Sequence, residues 1–395
     1  MALARTIRSQ ILESDLFDFN IKYLTYVGLW PNDDWSPAKL RLYKVYEVSL
    51  FILSITFIII TGIGTYEQKD DITMLMTNLD KALVSYNFVA KIILFTVKKK
   101  QLNNLISEIK LSGDKIVDER KSLMAIHVVV ITVFSTLVVF AFSLLSHIKM
   151  TVEAWMPFDP MKSRMNLLLA AQLLAFCFVV PVLYRAFAIQ GIVCGIIMYF
   201  CDQLIELQQR LKYLDYSEER DAEVRDEFKN IIKKHVRIMS TLTNIFKEYF
   251  LIQNLAVTIE LCLNALMVAV VGLEEKTLLA TFLGYLGLAL INAYIYCYLG
   301  NELITQSTGI AQAAYESGWT SWPIDMQKDL LIVINVAQKP LSLSAGGMAL
   351  MCIETYSQVR RDSYINIFFL QNLVFISKML TTLIDFLYIE GGPIR

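Results

Sequence analysis

Seven stretches of this chain are apolar over the roughly 20 residues that an α-helix needs to cross a lipid bilayer. They are Val45–Ile63, Thr73–Val97, Leu123–His147, Leu167–Phe200, Phe250–Gly272, Leu278–Leu299 and Gly346–Ile376. Hydrophobic residues make up 55% of the 395 residues, which is more than a soluble globular domain carries. Apolar stretches of this length are typical of membrane-spanning helices, since a membrane-spanning β-strand needs only about 9–11 residues. We therefore predict an all-α, polytopic membrane protein with seven transmembrane helices.

Basic residues in the connecting segments predict the orientation of these helices. Lys and Arg concentrate in cytoplasmic loops, and here they crowd the N-terminal segment and the loops after the second and fourth stretches. The opposite side carries only Lys69, Lys149, Lys162, Arg164 and Lys276. We therefore expect a cytoplasmic N-terminus and an extracellular C-terminus. This is the reverse of a G-protein-coupled receptor, and we set that class aside.

The second stretch contains the charged residues Asp80, Lys81 and Lys91. Charged side chains are costly inside a bilayer, and they either reach its surface or face the interior of a bundle. We expect Lys91 to extend toward the basic end of its helix. Asp80 and Lys81 are expected to face the bundle interior.

The last stretch carries polar residues along one helical face, because residues three or four apart share a face. The stripe consists of Glu354, Gln358, Arg361, Ile365, Phe368 or Phe369, and Asn372. If copies of this helix surround a symmetry axis, the stripe predicts a vestibule, a hydrophobic constriction and an amide ring. The alternative is a helix packed inside a bundle, with Glu354 and Arg361 paired and buried. Spacing alone favours neither.

The segment between the fourth and fifth stretches is predicted to be an antiparallel helical pair. Apolar residues recur at helical spacing on both sides of a charged turn near Ser217–Arg220. The recurring positions are Leu204, Leu207, Leu211, Leu214, Phe228, Ile231, Ile232, Val236 and Met239. The fourth and fifth helices should therefore continue into the cytosol.

Motifs of enzymes, metal sites and nucleic-acid-binding proteins are missing from the sequence. His127, His147 and His235 lie far apart, without Cys or acidic partners at metal-ligand spacing. No phosphate loop, nucleophile elbow or dinucleotide-binding turn occurs. The net charge of −1 and the lack of a basic run interleaved with aromatic residues do not fit a nucleic-acid groove. We expect no enzymatic activity, no metal, no cofactor and no nucleic-acid partner.

Short motifs near the start and in the last third of the chain are typical of a known family. They are Gly28-Leu29-Trp30-Pro31, Ala313-Ala314-Tyr315 with Trp319, Ala337-Gln338-Lys339-Pro340-Leu341, Ala345-Gly346-Gly347, Thr355-Tyr356 and Ser363-Tyr364. The two regions that carry them cover about a quarter of the chain and resemble the insect odorant receptors. The related gustatory receptors fit less well, because their Thr-Tyr-…-Gln-Phe ending is missing here.

This resemblance implies an odour-tuned subunit of a ligand-gated, nonselective cation channel. Such a subunit would form a tetramer with the co-receptor called Orco, in the plasma membrane of olfactory sensory neuron dendrites. Its partners would be Orco, a small volatile odorant, membrane lipid and the permeating cations. The chain would be one domain, residues 1–395, with a packed cytoplasmic anchor at residues 200–249 and 300–345 and a pore-lining last helix at residues 346–376. The family's gate positions correspond to Phe369, Asn372 and Leu373.

The resemblance also implies an odorant pocket within the outer halves of the second, third, fourth and sixth helices. A small volatile suits apolar and aromatic walls with a few hydroxyl or amide groups. Residues of that kind in these regions are Leu83, Tyr86, Asn87, Thr136, Phe140, Ser143, Gln172, Phe176, Phe282 and Tyr285. We favour Phe282 and Tyr285, near the outer end of the sixth helix.

A secondary transporter is the competing class. Asp80, Lys91, Glu354 and Arg361 would then be coupling charges inside the membrane. Inverted repeats and broken helices would support a transporter, and we find no convincing repeat.

Overall fold

The computed structural model describes residues 17–32, 34–70, 72–112, 128–133, 135–137, 139–140, 152–271, 276–345, 349–358 and 361. These residues are almost entirely helical. The helices are α1 (Asp18–Tyr26), α2 (Pro37–Glu67), α3 (Ile72–Ser112), α4 (Arg164–Leu173), α5 (Val180–Lys212), α6 (Asp221–Val271), α7 (Lys276–Glu316) and α8 (Ile324–Ala337). Residues 128–133, 135–137 and 139–140 are also helical. The predicted all-α class is therefore confirmed.

Short elements connect these helices. A π-helical turn, Leu174–Val179, joins α4 to α5 without a break. Turns of 3₁₀ helix occur at Pro160–Lys162, Glu218–Arg220 and Trp319–Ser321. After α8, strand β1 (Ser344–Ala345) pairs antiparallel with strand β2 (Ala349–Leu350).

Two helical segments in the described part of the chain are long and apolar enough to cross a membrane. They are α2 and the continuous segment Arg164–Lys212, which contain the first and fourth predicted stretches. The second, fifth and sixth stretches lie along α3, α6 and α7, except for Gly272, which is outside the described residues. These three helices have 41, 51 and 41 residues. At about 1.5 Å per residue each is roughly twice the thickness of a hydrocarbon core, so one end of each extends well beyond the membrane.

The predicted antiparallel pair is confirmed by α5 and α6. Their apolar seam includes Leu204, Leu207 and Leu211, all fully buried, and Arg210 Nε donates to Glu227 Oε1 at 2.7 Å across the pair. The expected place of Val236 in this seam is wrong, because its side chain is 55% exposed.

Helix α8 packs against the same cytoplasmic region. Arg225 on α6 donates hydrogen bonds to Asp325 at the start of α8. This contact holds the pKa of the Asp325 carboxyl below its usual range. Trp322, just before α8, packs edge-on against Phe228 of α6, with 5.4 Å between the ring centroids. The connection after α7 is therefore tied back onto the helical pair.

Helix α5 is the centre of the largest hydrophobic core. It packs against α1, α3, α6 and α7, and its apolar residues are buried around most of its circumference. A helix that is apolar on all sides is buried inside a bundle. Helices α1, α3, α6 and α7 therefore surround α5.

The Gly28-Leu29-Trp30-Pro31 motif forms the turn between α1 and α2. Gly28 has φ = 78°, a left-handed backbone conformation that residues other than glycine rarely adopt. This turn brings the Trp30 backbone N–H to the hydroxyl of Tyr43 on α2, at 3.0 Å. The same hydroxyl donates to the Thr25 carbonyl at 3.1 Å. Tyr43 therefore fixes the N-terminal segment onto α2.

Replacing Tyr43 by Phe is expected to lower the free energy of unfolding by about 1–3 kcal/mol, because it leaves the buried Trp30 N–H without its partner. Thermal unfolding of the detergent-purified protein measures the change. Tyr46→Phe is the matched control, since the Tyr46 hydroxyl donates to the Tyr26 carbonyl at 3.0 Å in an exposed position. Equal losses in the two variants would show that the buried bond has no special role.

Candidate ligand and gating site

The predicted last helix begins later than its hydropathy indicates. Strands β1 and β2 pair Ser344 with Leu350, and helical residues begin at Ile353. The prediction of a helix that starts at Gly346 is therefore wrong, although residues 346–348 themselves lie outside the described part. Hydropathy does not separate a short apolar strand from the first turn of an apolar helix.

Three contacts attach α7 to the segment that leads into the last helix and to the first turn of that helix, and we refer to them as the α7 seam. Gly300 of α7 lies against the backbone of Met351, and a Cβ at Gly300 would overlap the Met351 carbonyl oxygen. The Leu341 N–H donates to Ser307 Oγ at 2.9 Å. Tyr294 packs edge-on against Tyr356, with ring centroids 5.4 Å apart. Residues 341–356 are therefore packed directly against α7.

The described members of the polar stripe are all exposed in the single chain. They are Glu354, Gln358 and Arg361. The alternative in which Glu354 and Arg361 are buried as a pair is therefore wrong for this chain. Ile365, Phe368, Phe369, Asn372 and Leu373 lie outside the described residues, so the constriction and the gate positions stay predictions.

A polar core lies inside the bundle between α3 and α6, and it consists of Asn87, Lys91 and Glu260. Lys91 is 2% exposed and Glu260 is 7% exposed. Their charges interact, and the Asn87 amide donates a hydrogen bond to the Glu260 carboxylate. The Lys91 ammonium also lies 5.5 Å and 5.9 Å from the ring centroids of Phe88 and Tyr249.

The expectation that Lys91 extends toward the basic end of its helix is therefore wrong. A lysine reaches for the membrane surface when nothing inside the bundle compensates its charge. Here Glu260 and the two ring faces do so. The signal that could have found this site is a carboxylate, Glu260, within the fifth apolar stretch. The side chains of Asp80 and Lys81 lie outside the described part.

Two further polar pairs connect the helices around this core. The hydroxyls of Tyr249 on α6 and Tyr296 on α7 lie 2.7 Å apart. Gln190 on α5 donates to Asn292 on α7 at 3.1 Å. Helices α3, α5, α6 and α7 are thus joined by hydrogen bonds within the region where apolar stretches predict membrane.

The predicted odorant-contacting residues point in several directions. The Tyr86 hydroxyl lies 3.0 Å from Thr61 Oγ1 on α2, whereas its neighbour Asn87 faces α6. Thr136 Oγ1 lies 3.0 Å from the Tyr184 hydroxyl on α5. Leu83 is half-buried. The described residues therefore do not bring these candidates into one cluster.

Three other candidates lie on the outside of the single chain. Phe140 is 48% exposed, Phe176 is 50% exposed and Gln172 is also exposed. Phe176 lies within the π-helical turn, which contains more residues per turn than an α-helix. Positions on either side of the turn are therefore out of phase, and α-helical spacing does not identify the inward face. Ser143 and the side chains of Phe282 and Tyr285 are outside the described residues.

A small cavity of about 40 Å³ lies between α6, α7 and the last helix. Its lining includes Gln253, Tyr296, Cys297 and Thr355. Gln253 is fully buried, and neither of its amide atoms has a hydrogen-bond partner among the described residues. This space suits a few water molecules and is too small for an odorant.

Comparison with known proteins identifies related sequences. A family model described as 7tm Odorant receptor matches residues 71–364. Odorant receptor 85f of Drosophila melanogaster is 27% identical over 151 residues, 38% of this chain and 38% of the relative. The Odorant receptor coreceptor of the same species is 25% identical over 146 residues, 36% of this chain and 30% of the relative. The matches thus span well under half the length of these curated relatives.

Solved structures share the fold over almost the whole chain. The olfactory receptor OR5 from Machilis hrabei in complex with eugenol superposes with a TM-score of 0.70 and 16% identity, covering 94% of this chain and 99% of that one. The structure of the same receptor described without eugenol superposes with a TM-score of 0.69 and 16% identity, covering 90% and 97%. At this identity the likeness is evidence for the fold alone.

Proposed function

The chain belongs to the seven-transmembrane odorant receptor family, and from this premise we propose that it is the odorant-binding subunit of a ligand-gated cation channel. Members of this family are seven-helix membrane proteins and ligand-gated channels rather than enzymes. The observation that carries the proposal is the family match over residues 71–364. The exposed polar face of the last helix also supports the proposal, because such a face suits a water-lined pore.

In this proposal the last helix lines a central pore. Glu354, Gln358 and Arg361 form a wet vestibule, while Phe369, Asn372 and Leu373 form the gate. A narrow apolar ring closes a pore by excluding water, and a modest widening readmits water and ions. The chain assembles with the co-receptor Orco as a tetramer in the plasma membrane of sensory dendrites. Its similarity both to odorant receptors and to co-receptors supports this assembly.

The α7 seam suggests how a bound odorant opens the gate. Helix α7 carries Phe282 and Tyr285 in its first turns, and the same helix holds the start of the last helix at Gly300 and Tyr294. A ligand opens the pore only if it binds the open arrangement more tightly than the closed one. Occupation of a pocket beside Phe282 and Tyr285 would shift α7, and the seam would carry that shift to the last helix.

Voltage-clamp recording with an odorant panel tests this function. The chain is expressed alone and together with Orco, and odorant-evoked currents with channel-sized single openings are expected when both are present. A secondary transporter would instead give substrate-driven currents without unitary openings. That result would contradict the channel proposal while leaving the family assignment intact.

Replacing Phe369 by Ala is expected to raise the resting current of the assembled channel, because a smaller side chain weakens the dewetted constriction. Whole-cell current without odorant is the measurement. Phe375→Ala is the matched control, since six residues at about 100° each place it roughly 240° around the helix. Unchanged resting current and ion selectivity across substitutions at Phe369, Asn372 and Leu373 would refute the gate assignment.

A further inference from the structure

A larger cavity, of about 320 Å³, lies where α3, α5 and α6 extend beyond their apolar stretches. Its volume is in the range of small-molecule sites, roughly 300–1,000 Å³. It shares no lining residue with the proposed odorant pocket, the gate or the α7 seam. By the distribution of basic residues it faces the cytoplasm.

The lining of this cavity has an apolar floor and a cationic rim. Leu105, Ile109, Phe200 and Ile238 form the floor, and each is at most 5% exposed. The rim contains Lys233, Lys234 and Arg237 on α6, with Glu108 on α3 as the lining carboxylate. Glu108 pairs with Arg237. Lys234 pairs with Glu206 of α5 at 3.4 Å, so three rim cations face two carboxylates. The rim therefore has a surplus of one positive charge beside a surface that excludes water.

Gln203 supplies the second observation that points to a ligand. It lines the cavity and is 1% exposed. Neither its amide nitrogen nor its amide oxygen has a hydrogen-bond partner among the described residues. A buried amide without partners is unfavourable, and an oxygen-rich head group in the cavity would accept from the Gln203 nitrogen.

We propose that this cavity binds an anionic amphiphile, a phosphate or carboxylate head joined to an apolar chain. The head lies between the α6 cations and Gln203, because phosphate and carboxylate oxygens accept strong hydrogen bonds from cationic donors. The chain covers Leu105, Ile109 and Phe200. A lipid of the inner leaflet and a soluble amphiphile of the cytosol share this chemistry.

The position of the apolar floor along α3 allows either source of the ligand, a lipid of the inner leaflet or a soluble amphiphile of the cytosol. Leu105 follows the end of the second apolar stretch, Val97, by about eight residues, or roughly 12 Å at 1.5 Å per residue. The floor of the cavity therefore begins just below the head-group region of the membrane, and the cationic rim on α6 lies farther into the cytosol. A bilayer lipid reaches it from above, and a soluble molecule reaches it from the cytosol.

Binding of dioctanoyl phosphatidic acid to the purified full-length chain in phosphatidylcholine nanodiscs tests the proposal. We expect saturable binding, about tenfold tighter than that of inorganic phosphate or of dioctanoyl phosphatidylcholine. Inorganic phosphate lacks the apolar chain, and phosphatidylcholine lacks the net negative charge. Equal binding of inorganic phosphate would overturn the role of the apolar floor. Equal binding of the phosphatidylcholine would overturn the role of the charge.

Lys233→Gln is expected to weaken phosphatidic acid binding about fivefold, because it removes an exposed rim cation. Lys229→Gln is the matched control, with the same change one turn earlier on α6 and outside the lining, and it should bind like the parent chain. Gln203→Leu should also weaken binding. Equal losses of affinity in Lys229→Gln and Lys233→Gln would show that the ligand is held by nonspecific electrostatic attraction and would overturn the site.

Nanodiscs that contain long-chain phosphatidic acid identify the source of the ligand. If these discs no longer bind the soluble probe, the occupant is a lipid of the bilayer. If they bind it unchanged, the occupant is a soluble amphiphile. Either result supports the site, and neither depends on whether the chain forms a channel with Orco.

Discussion

Replacing Gly300 by Ala is expected to remove most of the odorant-evoked current of the assembled channel. The new Cβ would overlap the Met351 carbonyl oxygen. Because this is a contact of Cβ with backbone, no side-chain rotation relieves it, and α7 must separate from the start of the last helix. Overpacking of this kind costs about 1–3 kcal/mol or more. The α7 seam would then no longer couple the two helices.

Gly287→Ala is the matched control for this experiment. It makes the same substitution on the same helix, at a position where a Cβ would meet no heavy atom of the described residues within 4 Å. Whole-cell current and surface biotinylation should be measured together, so that lost gating is distinguished from lost protein. Wild-type currents from Gly300→Ala would contradict both the packing at Met351 and the proposed route from pocket to gate.

Lys91→Met and Glu260→Gln are each expected to lower the free energy of unfolding by about 3–5 kcal/mol, because each leaves a buried charge without its partner. The double variant should lose less than the sum of the two single losses, since it leaves neither charge behind. Thermal unfolding of the detergent-purified chain measures all three. Additive losses would show that Lys91 and Glu260 do not interact.

Lys98→Met provides the control on the same two helices. Lys98 of α3 and Glu248 of α6 form an ion pair at 2.6 Å, and replacing Lys98 leaves behind only Glu248, whose side chain is 51% exposed against 16% for Lys98. Exposed ion pairs contribute about 0–1 kcal/mol, so this variant should unfold close to the parent chain. A loss as large as that of Lys91→Met would mean that burial is not the cause.

The helical architecture could be predicted because hydropathy and amphipathic spacing report directly on burial. The apolar stretches at Val45–Ile63 and Leu167–Phe200 lie within helices, and the spacing of Leu204, Leu207 and Leu211 identified the seam between α5 and α6. These patterns depend on residues within one helix. They require no knowledge of its neighbours.

The errors concern features that depend on a second element. The direction of Lys91 is decided by Glu260 on another helix, and the start of the last helix is decided by pairing between β1 and β2. The odorant-contacting residues stay predictions, and the inward face at Gln172 on α4 and at Phe176 in the π-helical turn depends on the helical phase as well as on chemistry. Single-helix periodicity carries none of this information.

The π-helical turn Leu174–Val179 sets the rotation of α4 relative to α5 within the fourth membrane segment. Removing one residue there would convert the turn to ordinary α-helix and swing everything on its extracellular side by about 100°. The cytoplasmic part of the segment is α5, and its packing in the core would not change. A single-codon deletion in this turn is therefore expected to change which side chains of α4 face the proposed pocket, without remodelling the interior that keeps the protein folded.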